Sequence, residues 1–261
     1  MELRRTFEQA PELYERARPG YPDALFDDLA ALTGIGPGAR ICEVGCGTGQ
    51  ATVPLAERGY RITCVELGTK LAAIAHVKLA PFPDVEVVNA DFEHWRPEQA
   101  DFDAVVAFTS FHWLDPAARY AHVASLLRPG GMLAVVTTEH VLPEDGDRFF
   151  AEVQADYEAV TPEDPKTKEG GPRAPDAIAD LSAEIEASAH FRTTATRRYA
   201  YDITYTADSY IALLETYSGH RALDERRRAR LLELIRARIA SRPGGEVRKT
   251  YLAILNVARR A

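Results

Sequence analysis

Cysteine is scarce in this chain, with three in 261 residues, at Cys42, Cys46 and Cys64 and in no CxxC pair. An odd, sparse set argues against a disulfide framework and a thiolate zinc site, and fits a reducing compartment. No apolar run approaches the ~18–20 residues that a membrane span needs. The first residues, MELRRTFEQAPELYER, hold no apolar core of a secretory signal. The expectation is therefore a cytoplasmic protein that does not enter a membrane. Internal repeats are missing, and the one polar, Pro/Gly-rich stretch, Thr161–Pro175, reads as a loop inserted near a site. What is present is ordinary globular composition, 46% hydrophobic and 27% charged, which excludes a disordered chain, a collagen and a coiled coil. The length suits a single domain over 1–261, with an N-terminal lid or helix at 1–33 and a substrate-side cap within 141–245.

Net charge is −8 and uneven. Residues 197–261 carry 14 basic and 7 acidic side chains, whereas 1–196 carry 17 and 32. An acidic body is a poor surface for nucleic acid, whose affinity comes mostly from neutralised phosphates. In the basic stretch Asp224–Arg242, Leu231, Leu234, Ile235 and Ile239 form one apolar stripe with the arginines mostly off it. That is the pattern of a solvated helix face, with docking of an anionic substrate or RNA as the alternative. The composition leaves a homodimer open.

Apolar, β-branched runs occur at Arg40–Val44, Arg61–Glu66, Val85–Asn89, Asp103–Phe108 and Met132–Thr137. Helical stretches over Thr48–Arg58, Thr69–Leu79 and Pro116–Leu127 alternate with them, and a helix at Pro22–Leu32 precedes the first run. Such alternation predicts βαβ units and a parallel sheet covered on both faces. Later segments predict a helix at Phe149–Val160, a strand at Arg197–Thr206, helices at Ala207–Tyr217 and Leu223–Ile239, and a last strand at Thr250–Ala258.

The sharpest motif, Glu43-Val44-Gly45-Cys46-Gly47-Thr48-Gly49, joins the first strand to the first crossover helix. Glycines there let the backbone turn tightly and approach a ligand, and the helix start offers free N–H groups. Glu66 ends the second strand, where a carboxylate can accept from ribose hydroxyls. A G-x-G-x-x-G dinucleotide site is the competitor, but the third glycine falls one residue early. Glu43 would also meet a pyrophosphate with unwanted negative charge, whereas a cofactor carrying a cationic amino group suits it. After the third strand, Asp91 can accept from an adenine amine while Phe92 lies against the ring; a plain helix cap is the other reading of Asp91.

These residues, with the strand beginning Phe102-Asp103 and with Leu127-Arg128-Pro129-Gly130-Gly131, resemble the ordered motifs of class I S-adenosylmethionine-dependent methyltransferases. The resemblance spans residues 10–140. It implies a Rossmann-like α/β fold with a seven-stranded sheet of order 3-2-1-4-5-7-6, the last strand antiparallel, helices on both faces and a helical cap. It implies S-adenosyl-L-methionine as cofactor, held by Glu43, Gly45, Cys46, Gly47, Gly49, Glu66, Leu67, Asp91 and Phe92. Two further segments, Tyr14-x-x-x-Arg18-Pro19-x-Tyr21-Pro22 and Ser110-Phe111-His112-Trp113, resemble a subgroup that includes trans-aconitate methyltransferase-like enzymes. That adds Tyr14 and Arg18 on the cofactor side, and Tyr21, Phe111 and Trp113 in the substrate pocket.

Methyl transfer from a sulfonium is an in-line displacement in which positioning supplies much of the gain. Aromatic faces suit a cationic donor, although aromatics at strand ends also serve as packing. A carboxylate acceptor needs no base, whereas a hydroxyl or an acidic carbon gains from one. His112, at a strand's C-terminal end, is the first candidate for that catalytic role, followed by His140 and then His220. His140, Tyr217 and His220 are expected on the substrate side. The place after the fourth strand lacks an Asn/Asp-Pro-Pro-aromatic loop, which disfavours amino-group methylation of bases, and no acidic metal cluster stands out. The reading is methyl transfer to a small molecule, at oxygen of a carboxylate or hydroxyl. A C-methyltransferase of secondary metabolism and a non-catalytic cofactor-binding module are the alternatives.

Overall fold

The computed structural model describes residues 11–163 and 171–261. The parts of the predicted lid and loop at 1–10 and 164–170 lie outside the described residues. Seven strands form one mixed sheet. They are β1 (Arg40–Val44), β2 (Arg61–Glu66), β3 (Val85–Asn89), β4 (Phe102–Phe108), β5 (Leu127–Val141), β6 (Phe191–Thr206) and β7 (Glu246–Arg260), in the order β3-β2-β1-β4-β5-β7-β6. The pairs β1–β2, β1–β4, β2–β3 and β4–β5 are parallel.

Helices α1 (Pro11–Ala17), α2 (Asp23–Thr33), α3 (Thr52–Glu57), α4 (Thr69–Leu79) and α5 (Arg119–Leu126) belong to the first half. Helix α2 forms on its apolar stripe, burying Leu25, Phe26 and Leu29, and stops at Gly34. That glycine takes the left-handed conformation (φ 68°) and returns its N–H to Ala30 O, as C-terminal caps commonly do. The predicted helix at Phe149–Val160 is broken into Phe149–Glu152 and Gln154–Val160 at Val153. Helix α1 falls within the N-terminal lid or helix expected at 1–33, whereas a short helix at Ser182–Ala187 lies outside the predicted elements; short segments carry little periodicity. Among the described residues, no helix is long and apolar enough to cross a membrane.

The chain divides into two compact units. The larger comprises Pro19–Thr138, Asp180–Tyr199 and Ala253–Ala261; the smaller comprises, among the described residues, 11–18, 139–163, 171–179 and Ala200–Leu252. Strands β5, β6 and β7 contribute residues to both. The core of the larger unit gathers Cys42, Val44, Val65, Val105, Leu133 and Val135 from the strands with Phe102, Phe111, Val123 and Leu126. The core of the smaller unit gathers Phe149, Phe150, Tyr205, Tyr210, Leu231, Ile235, Val247 and Tyr251.

Candidate functional site

Strand register builds the site in the larger unit. Val44 stands beside Val65 and Ala107, and Glu66 beside Asn89. The residues that follow these strands therefore emerge along one rim, the C-terminal edge where parallel α/β sheets bind ligands. The first is Gly45, whose N–H donates to Val65 O at 2.8 Å. Gly45, Gly47 and Gly49 all have positive φ (65°, 59° and 86°). At Gly45 a Cβ would meet Ser110 Cβ at 2.8 Å, and Ser110 Oγ donates to Val44 O. A side chain at Gly45 is thus excluded by conformation and by space.

Glu66, 7% exposed, holds this loop together. Its Oε2 accepts the Gly47 N–H at 2.8 Å and its Oε1 accepts the Gly68 N–H at 2.7 Å. A carboxylate has about four acceptor positions, and these two bonds fix where they point. Leu67 is half-buried, and its carbonyl, with that of Glu66, accepts from Asn89 Nδ2 at 3.2 and 2.8 Å. Glu43 is turned inward instead, accepting from Thr52 Oγ1 at 2.7 Å with the Cys64 thiol at 3.9 Å. Burial, with the nearby charge of Glu66, pushes its pKa up to about 7 against the opposing Thr52 bond. The Cys46 sulfur also faces inward, 3.7 Å from Gly47 O, so this residue offers the rim its backbone. Thr48 Oγ1 is fully buried and without a partner among the described residues, an orphan hydroxyl in the loop that a polar ligand group would satisfy.

Asp91 caps its own turn. Its Oδ1 accepts the Glu93 N–H at 3.1 Å and its Oδ2 lies 3.2 Å from His94 Nδ1, the cap expected of it in the simpler reading, with acceptor capacity to spare. Phe92 is 5% exposed and packs edge-on against His122 at 4.8 Å. Phe111, expected in the substrate pocket, is a core residue at 2% exposure, with Tyr120 edge-on at 5.2 Å and the Arg119 guanidinium 5.0 Å from its ring. Arg119 also donates to the Phe111 carbonyl at 3.1 Å, which anchors the single turn Phe111–Trp113. His112 is exposed on that turn, its ring 4.7 Å from Trp113. Packing around it, then the Arg119 charge, lowers its pKa, so the imidazole is neutral at pH 7. Tyr21 places its hydroxyl 3.0 Å from Thr109 Oγ1. Thr109 has φ 54°, a left-handed backbone that is strained for a β-branched residue.

The remaining expected residues collect in the smaller unit. Arg18 donates through Nε to Thr216 Oγ1 at 2.9 Å and through one terminal nitrogen to Thr216 O at 3.0 Å. Its guanidinium stands 5.0 Å from the Tyr14 ring and 4.6 Å from the Tyr217 ring. His220 Nε2 lies 2.9 Å from Tyr157 Oη. His140 packs edge-on against Phe150 at 4.3 Å. Burial and then the Lys249 charge push its pKa down to about 2, a value too low for an effective base. Thr48, Thr109 and Lys249 had not been expected. The first two lie inside or next to recognised motifs and carry no pattern of their own.

Residues 41–131 match the family model described as a methyltransferase domain. An uncharacterised methyltransferase of Mycobacterium tuberculosis is 33% identical over 131 residues, covering 50% of this chain and 51% of the relative. The chain thus spans about half the length of such relatives. Trans-aconitate 2-methyltransferase of Escherichia coli O157:H7 is 31% identical over 173 residues, covering 58% of this chain and 66% of that one. Among solved structures, a candidate type II methyltransferase from Anaeromyxobacter dehalogenans has a TM-score of 0.63 at 22% identity, covering 93% of this chain and 97% of that chain. Phosphoethanolamine N-methyltransferase 2 of Haemonchus contortus, solved with phosphomonomethylethanolamine and S-adenosylhomocysteine, has a TM-score of 0.55 at 15% identity, covering 98% and 60%. The sheet order and the matched segment over residues 41–131 are those of a class I methyltransferase domain. Within that class, the relatives of this chain include the trans-aconitate methyltransferases.

Proposed function

We propose that this chain transfers a methyl group from S-adenosyl-L-methionine to a small molecule, at oxygen of a carboxylate or hydroxyl, a carboxylate being favoured. The observation that carries the cofactor assignment is the Glu66 carboxylate, bonded to both Gly47 and Gly68 N–H groups and so fixed at the rim of the glycine loop. The carboxylate preference rests on the relatives named trans-aconitate 2-methyltransferase.

When bound, S-adenosylmethionine supplies an electrophilic methyl group on a positively charged sulfur. Glu66 would accept from the ribose hydroxyls and Asp91 from the adenine amine, and the glycine loop, whose glycine N–H groups are held by Val65, Glu66 and Cys46, would let the ligand approach its backbone and the Thr48 hydroxyl. Glu43 acts one layer behind, fixing the start of α3 through Thr52. A carboxylate acceptor is already nucleophilic, so no residue has to take a proton. His112 then positions rather than deprotonates, beside Trp113 on the turn that Arg119 anchors.

The test is incubation of the full chain with methyl-labelled S-adenosylmethionine and a panel of di- and tricarboxylates. The reading expects label in a base-labile ester. Label stable to base would move it from a carboxylate to a hydroxyl, as a methyl ether, or to carbon, and acid cleavage of the ether separates these two. Tight binding of S-adenosylhomocysteine with no transfer to the panel or to a metabolite extract would favour a cofactor-binding module.

A further inference from the structure

The smaller unit buries a lysine that no carboxylate among the described residues neutralises. Lys249 is 2% exposed, on β7, at the same strand parity as the core residues Val247 and Tyr251. Its Nζ donates to Tyr217 Oη at 2.9 Å. The same atom stands 4.8, 5.0 and 5.9 Å from the ring centroids of Tyr251, Tyr217 and Tyr210. Among the described residues it has no ion-pair partner. The Arg18 guanidinium shares the Tyr217 ring from 4.6 Å. Tyr251 Oη and Tyr205 Oη lie 2.9 Å apart, and His140 Nε2 is buried with no partner among the described residues.

An ammonium ion taken out of water is costly unless paired, and one hydrogen bond plus ring faces offset only part of that cost. Tyr217 registers the excess positive charge. Burial alone would raise its pKa, but Lys249 and Arg18 outweigh that and lower it. A small anion bonded to Lys249 would neutralise the charge and receive hydrogen bonds from the phenols.

We propose that this cluster is a carboxylate-binding site, in which Lys249 pairs with one carboxylate of a small di- or tricarboxylate and the Tyr217 and Tyr251 hydroxyls donate to it. The donor set fits a carboxylate better than a phosphate. It holds one compact ammonium as a point charge beside phenols, and the Nε edge of the Arg18 guanidinium is already engaged by Thr216, so the cluster matches the single charge of a carboxylate. The proposal deepens the acceptor reading given above and rests on it for the choice of probes.

The test titrates the full chain separately with succinate, citrate, trans-aconitate, the trimethyl ester of trans-aconitate, inorganic phosphate and S-adenosylhomocysteine, following melting temperature and heat of binding. At least one carboxylate should bind and raise the melting temperature, while the ester and phosphate do not. Lys249→Met should lose at least tenfold in affinity for that carboxylate, keep S-adenosylhomocysteine affinity, and melt no lower than wild type, because an unpaired buried charge has been removed. Should Lys249→Met fail to fold, Tyr217→Phe should show a loss of several-fold in the same titration. Equal carboxylate affinity in the folded Lys249→Met variant, or in Tyr217→Phe where only that variant folds, overturns the proposal. So does phosphate binding in preference, or no carboxylate binding to wild type. Failure of carboxylates with normal S-adenosylhomocysteine binding removes this site and leaves the methyltransferase reading standing; the reverse pattern does the opposite.

Discussion

Around the glycine loop of the larger unit the buried ionisable groups are the carboxyls Glu66, at the rim, and Glu43, turned inward behind it, whereas in the phenol cluster of the smaller unit they are Lys249 and, half-buried, Arg18. The two clusters suit ligands of opposite charge. A carboxyl-lined rim favours a ligand that brings hydroxyls, amines and a sulfonium. A cluster of an ammonium, a guanidinium and phenols favours a carboxylate. The difference also shows in how each is held. The carboxyls around the loop are fixed by backbone N–H groups and a threonine within the sheet unit, so the local turn dictates their geometry. Lys249 and Tyr217 meet from segments 32 residues apart, and Arg18 and Thr216 from segments 198 apart.

The largest expected effect sharpens the carboxyl side. The folded pKa of Glu43, about 7, lies above the ordinary 4.5, so the folded state keeps this proton longer than the unfolded state. Stability should therefore fall as pH rises from about 4.5 to about 7, by roughly 3 kcal/mol for this group. Glu43→Gln should abolish that loss, so the variant should gain on wild type between pH 5 and pH 8 in denaturant unfolding followed across pH. A constant difference between the two proteins over that range would remove buried Glu43 as the cause.

The next effect is smaller. Gly45→Ala places a methyl against Ser110 at a positive φ. The left-handed backbone alone costs about 1–2 kcal/mol, so the variant should bind S-adenosylhomocysteine several-fold more weakly or melt lower. Carboxylate binding by the folded fraction should be unchanged, because Gly45 belongs to the other unit. Calorimetric titration with both ligands checks this.

The smallest effect concerns His112. As a positioning residue, His112→Gln should lower turnover by less than tenfold. The wild-type rate should stay flat across the imidazole range, because a carboxylate acceptor gives up no proton. A rate limb near that pKa which vanishes in the variant, with a loss of ~10²-fold or more, would assign His112 as a general base and move the acceptor to a hydroxyl or a carbon acid.

Much of the larger unit was legible because its signals are local. The bounds of β1, β2 and β3 and of α4 match those read from apolar runs and turn residues. Helix α3 starts four residues later than expected, at Thr52. Residues 48–51 are instead drawn into the loop, where Gly49 N–H bonds to Cys46 O at 2.9 Å and the glycines hold positive φ. The smaller unit was less legible for a physical reason. Strand β7 begins at Glu246, four residues before the apolar run Thr250–Ala258 that marks it. That hid Lys249, although Val247-x-Lys249-x-Tyr251 is the alternation of one buried strand face. Tyr14 and Arg18 were expected beside the cofactor, and the structure groups them with Tyr217, a pairing that sequence spacing cannot reveal.

The central claim is that Glu66 and its loop hold S-adenosylmethionine, and calorimetric titration of S-adenosylhomocysteine and NAD into wild type and Glu66→Ala tests it most directly. Hydrogen bonds to a charged acceptor are worth ~1.5–3 kcal/mol each. Wild type should therefore bind S-adenosylhomocysteine and not NAD, and Glu66→Ala should lose at least tenfold in affinity. It should also lose some stability, because the Gly47 and Gly68 N–H groups are left without their acceptor. An unchanged dissociation constant in the folded variant, or binding of NAD in place of S-adenosylhomocysteine, would contradict the account.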